Sequence, residues 1–567
     1  MIARFPFTTL RGGVIYAISE ERLNRIKSYW GFPNLALGHI FSIFDPREIR
    51  KVILSGHSEF RKDNFQVYNF LFSTNPENHF DLANSKIPVG WFSQNGINEL
   101  MYKPKTDEET ISKVKNIIEA KLASFGIKAD YTFVNHHNSH AATAIVGSGY
   151  DSTLVLTLDS EGDFESGTIQ IYDRGKITNV ARFPRLFSLG EVYSNATARY
   201  GFKKSRHEGK LTGLSSFLSE SKLDFILKSY INTADGEIKF ERLEIDKFLD
   251  SDLYLYELIS NHDHFGSDYL SVLLDVIALN SADYAELAYV AQSSLEFSVL
   301  NLVKFYLKKY RTKNIALAGG VFANVKLNNC IANLPQVENI YVYPNMGDGG
   351  LSVGGVWDYF IRNLEKPKSH INLFLGPSNK LIDRNLYNSY IPIIIDHLNR
   401  GNIVGLFEGR SEWGPRALCH RSILANPSFK NMSNVLNTRL ARTEFMPFAP
   451  VTLKEFSREV FDVNLKNHVS NLQNMVTTTR VKKSFVEKIG ASVHIDGTAR
   501  PQIIDQEIGI INPLLETFYR ETGIPALLNT SFNVHEEPIV ENEEQALNAF
   551  SSGRIDVLVT PSGIKSK

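Results

Sequence analysis

Two cysteines, Cys330 and Cys419, are all that this chain of 567 residues carries, so a disulfide framework is not what stabilises it. An excess of one charge is equally absent. The 61 Lys and Arg face 62 Asp and Glu for a net charge of −1, which argues against a nucleic-acid binder working through a broad basic surface. No apolar run approaches the roughly 18 residues that would span a bilayer. The opening Met1-Ile2-Ala3-Arg4-Phe5-Pro6-Phe7 lacks the basic stretch followed by an apolar one that marks a secretory leader. Internal repeats and low-complexity tracts are missing too. The expectation is a cytoplasmic protein with neither membrane nor nucleic acid as a partner. What is present is ordinary globular composition, 43% hydrophobic and 22% charged, in a length that implies two or three domains.

Apolar β-type runs alternate with amphipathic stretches along the chain, the pattern of α/β architecture. Strands are expected over 152–158, 314–318 and 339–343. A break falls at Glu365-Lys366-Pro367-Lys368-Ser369, giving domains 1–365 and 366–567. Beyond it further strands are expected over 402–407, 492–495, 525–528 and 556–559. Residues 215–300 read as mostly helical, with 282–302 the clearest amphipathic run, and are expected to shape a pocket.

Ligands of open α/β sheets sit beyond the carboxyl ends of the strands, and the turns after the first three strands carry the residues of interest. His136 and His140 are four apart in a stretch, His136-His137-Asn138-Ser139-His140-Ala141-Ala142, that favours helix. One helical face would then present both imidazoles to one cation, with His137 pointing roughly 100° away. The plain alternative is a pair of solvated or core histidines. Asp159 ends a strongly apolar strand, where an unpaired buried carboxylate would be costly, although aspartates are also common in turns. Asp348 lies among glycines in Gly347-Asp348-Gly349-Gly350. Two imidazoles and two carboxylates suit Fe(II), Mn(II) or Zn(II) better than a dedicated calcium site. Gly319-Gly320 and the Gly347–Gly350 turn are expected to expose backbone N–H groups for phosphate. In His207-Glu208-Gly209-Lys210, Lys210 offers a point charge for phosphate, or is simply a surface lysine.

These segments, in this order, resemble the O-carbamoyltransferases of the nodulation-protein, cephamycin and tobramycin-carbamoylation type. The motifs run over nearly the whole chain: SEER from Ser19, HHNSHAATA from His136, LTLDSEGD from Leu156, SLGEVYSNAT from Ser188, RHEGKLTGL from Arg206, LAGGVFANVKLN from Leu317 and PNMGDGGLSVGG from Pro344. They continue with EGRSEWGPRALCHRSILANP from Glu408, RTEFMPFAP from Arg442, HIDGTARPQ from His494 and LLNTSFN from Leu527. The resemblance implies an N-terminal ASKHA-type (actin- and Hsp70-like, Kae1-like) domain followed by a C-terminal YrdC-like α/β domain. It implies a transferase that makes carbamoyl-adenylate from ATP and carbamoyl phosphate, then passes the carbamoyl group to a hydroxyl of a sugar or other small molecule. The family's metal ligands fall on His136, His140, Asp159 and Asp348, with Fe(II) the expected ion, and its nucleotide loops fall on Gly319, Gly320 and Asn324. Lys210 joins His136, His140 and Asp348 as an expected catalytic residue. Arg416, Arg442, Arg500, Asn529 and Ser531 are assigned to the adenylate pocket. Arg410 and Arg421 also lie in its motifs, and arginine's planar fork suits phosphate. A homodimer is compatible with this reading.

Two positions depart from the family pattern. Phe7-Thr8-Thr9-Leu10-Arg11-Gly12-Gly13 lacks the His-Asp turn that usually precedes the Glu-Glu-Arg motif, and Ala441 stands where many relatives have lysine. They motivate a second reading, a catalytically impaired paralogue that binds nucleotide or a partner without turnover. A third, tRNA threonylcarbamoylation, is disfavoured by the absence of a basic excess.

Overall fold

The computed structural model describes residues 6–8, 15–25, 27, 34–56, 108–241, 243, 267–363, 372–377, 380–442, 446–463 and 470–567. The expected break at 365–369 lies outside them, as do Thr9 to Gly13. The chain is a mixed α/β protein built on two principal sheets, as its alternating pattern implies. The first sheet has five strands in the spatial order Asn339–Val342, Asn314–Ala318, Ser152–Gly162, Glu165–Asp173, Lys176–Pro184. Three consecutive strands form an antiparallel meander, and the later two add in parallel to its first strand. This centre strand is apolar on both faces. Leu154, Leu156 and Leu158 pack with the long Glu286–Tyr310 helix, while Val155, between them, faces Ala141, Ala142 and Ala144 of the His136–Ser148 helix. The neighbouring strand alternates in the same way, Ile315 and Leu317 against Ala316 and Ala318. Alanine on the histidine-helix side removes bulk between sheet and helix.

The second sheet has seven strands in the order Gln502–Ile504, Ala449–Leu453, Leu527–Ser531, Arg421–Ala425, Val404–Phe407, Val557–Thr560, Gly563–Ser566. Helices Tyr387–Asn399 and Ile511–Thr522 cover one face, and Met432–Arg439 with Glu543–Ser551 cover the other. No described helix is long and apolar enough to cross a membrane.

Strand expectations hold at 152–158, 314–318, 339–343, 402–407, 525–528 and 556–559 to within a few residues. The amphipathic run at 282–302 is the helix Glu286–Tyr310. The strand expected at 492–495 is not formed. There Asp496 Oδ1 accepts the Thr498 N–H at 2.9 Å, the His494 N–H donates to the Thr498 carbonyl at 2.8 Å, and Gly497 adopts φ +77. An aspartate side chain closing its own turn displaces the extended form, and Ile495 is left 65% exposed.

Glu408 ties the second unit together. It is fully buried at the end of strand Val404–Phe407 and accepts the N–H groups of Ile510 and Ile382 at 3.0 and 3.1 Å. Burial pushes its carboxyl up to about 7 despite those bonds and the nearby Arg421. The folded protein therefore holds an extra proton there between the ordinary carboxylate range and pH 7. Stability falls as pH rises through that window, by up to about 3 kcal/mol. Denaturant midpoints at pH 5 and pH 8 test this. Glu408→Gln is expected to lose less stability than the parent over the same interval, and an equal loss would refute the assignment.

Candidate active site: a four-residue metal centre and an arginine pocket

The three parallel strands of the first sheet end on one edge, and each brings one part of the site there. Asp159 lies in the irregular last part of the first strand, Gly319-Gly320 follow the second, and Asp348 follows the third. The His136–Ser148 helix starts over the same edge. Asn135 caps it, accepting the Asn138 N–H at 3.1 Å, and Asp163 Oδ2 accepts the His136 N–H at 2.9 Å. Two acceptors at the first turn fix where the helix begins, and hence the azimuth of its histidines. Gly162 is required here, because a Cβ would lie 2.1 Å from the His136 ring.

His136 and His140 present their Nε2 atoms to one another at 3.1 Å. His140 Nε2 lies 3.2 Å from Asp159 Oδ2 and 3.8 Å from Asp348 Oδ1, and His136 Nε2 lies 3.9 and 3.5 Å from the same oxygens. All four ligand atoms fall within 4.8 Å of one another. Two buried imidazole nitrogens facing each other between two carboxylates are the donor set of a divalent transition metal, so the residues present fit the ion that the sequence implies. Burial alone would lower His140, but Asp159 and Asp348 outweigh it and push the imidazole up to about 9. Burial opposes ionisation of both carboxylates, yet the histidines hold Asp159 well below the usual range and depress Asp348.

His137 points away, as helix geometry requires. Its Nε2–H donates to the Glu165 carbonyl at 3.1 Å, and Nδ1 meets Thr157 Oγ1 at 3.0 Å. Burial, helped by His136 and His140, pushes it down to about 3, so it is a neutral residue of the sheet-helix packing.

Three N–H groups of the glycine turns, expected to face phosphate, are taken by the protein itself. The Gly319 N–H donates to the Met346 carbonyl at 2.7 Å, the Gly320 N–H to Asp159 Oδ2 at 2.9 Å, and the Gly350 N–H to the Gly347 carbonyl at 2.8 Å. Gly319 has φ +104, and a Cβ there would strike the Leu158 carbonyl. These glycines therefore serve close strand packing and hold the metal-site carboxylate, and no free phosphate cradle is formed by those three groups. Asn324 caps the Val325–Ala332 helix by accepting the Leu327 N–H at 3.0 Å and donates to Gln292 at 2.8 Å. Lys210 is not a surface lysine. It is 5% exposed on the Glu208–Leu214 helix, with Nζ over the Phe202 ring at 5.5 Å. That helix packs on Leu189–Arg199, whose cap Ser188 donates to the Asp159 carbonyl at 3.1 Å.

In the second unit Asn529 and Ser531 occupy one face of the strand Leu527–Ser531. Asn529 is buried and donates to Gln502 at 2.7 Å and to the Ala417 carbonyl at 3.2 Å, while its Oδ1 has no partner among the described residues. Its contacts thus gather the segments that carry Arg416 and Arg500. Arg442 donates to Thr530 Oγ1 at 2.8 Å, to Ser531 Oγ at 3.0 Å and to Asn533 Oδ1 at 3.1 Å. Two of the motif arginines are not available to phosphate. Arg410 donates to the Leu375 and Gly376 carbonyls at 2.6 and 3.0 Å. Arg421, fully buried over Phe407, donates to the Glu408 and Gly409 carbonyls at 2.6 and 3.1 Å. A backbone carbonyl beside a buried guanidinium satisfies both groups.

Sequence reasoning missed Glu412. One of its oxygens accepts the N–H groups of Leu418, His420 and Arg421 at 2.7, 2.9 and 3.1 Å, and so folds the loop that presents Arg416. It also missed Arg22, which donates to the Gly414 carbonyl at 3.0 Å and faces Glu541 at 3.7 Å across the two units. The run Glu412-Trp413-Gly414-Pro415 was the available signal for the loop. Nothing in the sequence signals the cross-unit pair.

One unit thus carries a sheet edge that gathers two histidines and two carboxylates, and the other is an α/β unit whose Arg442 lies against Ser531 and Asn533. Residues 8–356 match the model for the carbamoyltransferase N-terminus and residues 395–567 that for the carbamoyltransferase C-terminus, so the chain belongs to the carbamoyltransferase family. An uncharacterized protein of Methanocaldococcus jannaschii, MJ1051, is 28% identical over 98% of this chain and 96% of its own. Nodulation protein NolNO of Sinorhizobium fredii is 28% identical over 80% of this chain and 67% of its own. Nodulation protein NolO of Bradyrhizobium diazoefficiens is 28% identical over 75% and 77%. Among solved structures, T. kodakarensis HypF aligns with 44% of this chain and 39% of its own at 15% identity, with a TM-score of 0.25.

Proposed function

We propose that this protein is an ATP-dependent O-carbamoyltransferase with two chemical centres, acting on a hydroxyl of a small-molecule or sugar acceptor. The observation that carries the reading is the convergence of His136, His140, Asp159 and Asp348 in a chain whose second unit holds Arg442 over Ser531 and Asn533. In the first half-reaction, carbamoyl phosphate loses its phosphoryl group to water as inorganic phosphate. The carbamate oxygen attacks the α-phosphorus of ATP, and pyrophosphate leaves. Arg416, Arg442 and Arg500 bind and orient the phosphates, and Asn529 offers its unpartnered Oδ1 to a donor of the substrate. In the second, the acceptor oxygen attacks the carbamoyl carbon, its proton departs and AMP leaves.

His136, His140, Asp159 and Asp348 would hold the divalent ion, Fe(II) by family resemblance. Bound there, such an ion supplies Lewis-acid polarisation. The Ser160 and Gly320 N–H groups orient the Asp159 carboxylate, and Lys210 supplies positive charge within the same unit. Preorganised charge of this kind carries much of the rate in group transfer. Domains 1–365 and 366–567 are proposed to perform the transfer and adenylate steps respectively.

The test is pyrophosphate release from ATP by the metal-loaded protein, with and without carbamoyl phosphate. Release that depends on carbamoyl phosphate is expected. Its absence from folded, metal-loaded protein would favour the non-catalytic paralogue that the Phe7–Gly13 segment and Ala441 suggest.

A further inference from the structure

Beyond both centres, the segment that follows strand Leu527–Ser531 crosses to the first unit. Glu536, with φ +63, accepts Lys203 Nζ and Arg206 Nη1 on Oε2, each at 3.1 Å, and His207 Nε2 on Oε1 at 2.9 Å. His535 stacks on His207 with ring centroids 5.6 Å apart, and its backbone N–H donates to the Leu440 carbonyl at 2.9 Å. That bond ties the cluster to the turn leading into Arg442.

His207, His535 and Glu536 also bring three ligand atoms together in the manner of a metal site. The hydrogen bonds argue otherwise. His207 Nδ1 faces the backbone N–H of Lys203 at 3.2 Å and must accept it. The proton of the neutral ring therefore sits on Nε2, the atom a metal would need. Glu536 moreover already receives two cations. The cluster is a latch between units.

The latched element is the helix Glu208–Leu214, which carries Lys210. His207 occupies its cap position, and the Lys210 N–H donates to the His207 carbonyl at 2.9 Å. At the other end, Gly213 lies against Met446 of the second unit, so closely that a Cβ would fall 2.1 Å from Met446 Cγ. One end of this helix is thus held by the segment that begins at Ser531, and the other lies against Met446, four residues after Arg442. Arg442 itself donates to Ser531 and Asn533.

We propose that Glu536 is a positioning residue that sets the Lys210 helix from the adenylate pocket, so that filling the pocket is transmitted to the transfer centre. This role rests on the two-centre reading above. The experiment is hydrogen exchange of the metal-loaded full chain, with and without ATP plus carbamoyl phosphate, alongside pyrophosphate release. In the parent, exchange of the 208–214 amides is expected to slow about tenfold when both substrates are added. Glu536→Gln is expected to keep pyrophosphate release and metal content but to lose that slowing. His207→Gln places a donor where Nε2 stands and should keep the response, whereas His207→Asn should lose it. This pair decides the matter even if Glu536→Gln folds poorly. A parent without the response, a Glu536→Gln protein that retains it, or a His207→Asn protein that retains it would each overturn the role. So would loss of pyrophosphate release in step with the response, which would make Glu536 part of the adenylate pocket. Absence of carbamoyl-phosphate-dependent release from the parent would instead overturn the two-centre reading, and this role with it.

Discussion

Asp348→Ala is expected to strip the divalent metal and to abolish carbamoyl transfer, while pyrophosphate release dependent on carbamoyl phosphate continues near the parent rate. Asp348 is the most exposed of the four ligands, its side chain 36% accessible against 15% for Asp159, 6% for His136 and 0% for His140. The open side of the centre is therefore Asp348's. Exposure also makes the substitution clean. Among the described residues no backbone N–H donates to the Asp348 carboxylate, whereas Asp159 accepts those of Ser160 and Gly320, so truncating Asp159 would damage the turn as well as the centre. Lewis-acid stabilisation is worth several kcal/mol, and each 1.4 kcal/mol or so is a factor of ten, so transfer should fall about 1000-fold. Metal content of the purified variant and transfer of labelled carbamoyl groups across a sugar panel check this. A variant that keeps its metal and loses pyrophosphate release would show that the two centres have been assigned to the wrong steps.

The clustering of His136, His140, Asp159 and Asp348 was legible in the sequence because each of them advertises itself locally. His136 and His140 have helical spacing in an alanine-rich stretch. Asp159 ends a run of apolar residues, and Asp348 is framed by glycines. The phosphate reading of those glycines failed because glycine permits close approach without saying what approaches. At Gly319 it is the Leu158 carbonyl and at Gly320 the Asp159 carboxylate. The strands that went unread have polar residues in buried places. Thr168 and Gln170 of Glu165–Asp173 are fully buried, paired with Thr157 at 2.8 Å and Asn138 at 3.2 Å. Such partners lie on a neighbouring strand or helix, and a buried polar residue breaks the apolar alternation that marks a strand. Arg421 opens a central strand for the same reason: its charge is met by carbonyls that only the folded loop supplies. Glu536 and its three basic partners lie more than 300 residues apart in sequence, beyond the range of any local pattern.

Arg442→Ala is expected to produce the opposite lesion: metal retained, pyrophosphate release reduced about 100-fold. The guanidinium is held by Thr530 Oγ1, by the Ser531 carbonyl and Oγ, and by the Asn533 carbonyl and Oδ1, at 2.8 to 3.3 Å. Those five acceptors aim the planar fork, and a fork of fixed direction suits bidentate contact with phosphate. Arg442→Lys keeps the charge but loses the fork, and with it the alignment of Ser531 and Asn533. It should recover little of the activity. Because the metal centre is untouched, supplying preformed carbamoyl-adenylate should restore transfer in Arg442→Ala to near the parent rate. That bypass separates a lost adenylation step from general damage. A folded, metal-loaded Arg442→Ala protein that still released pyrophosphate at the parent rate would remove Arg442 from the pocket. One that could not use the preformed adenylate would place Arg442 in the transfer step, where its contacts with Ser531 and Asn533 would couple the units rather than bind ATP.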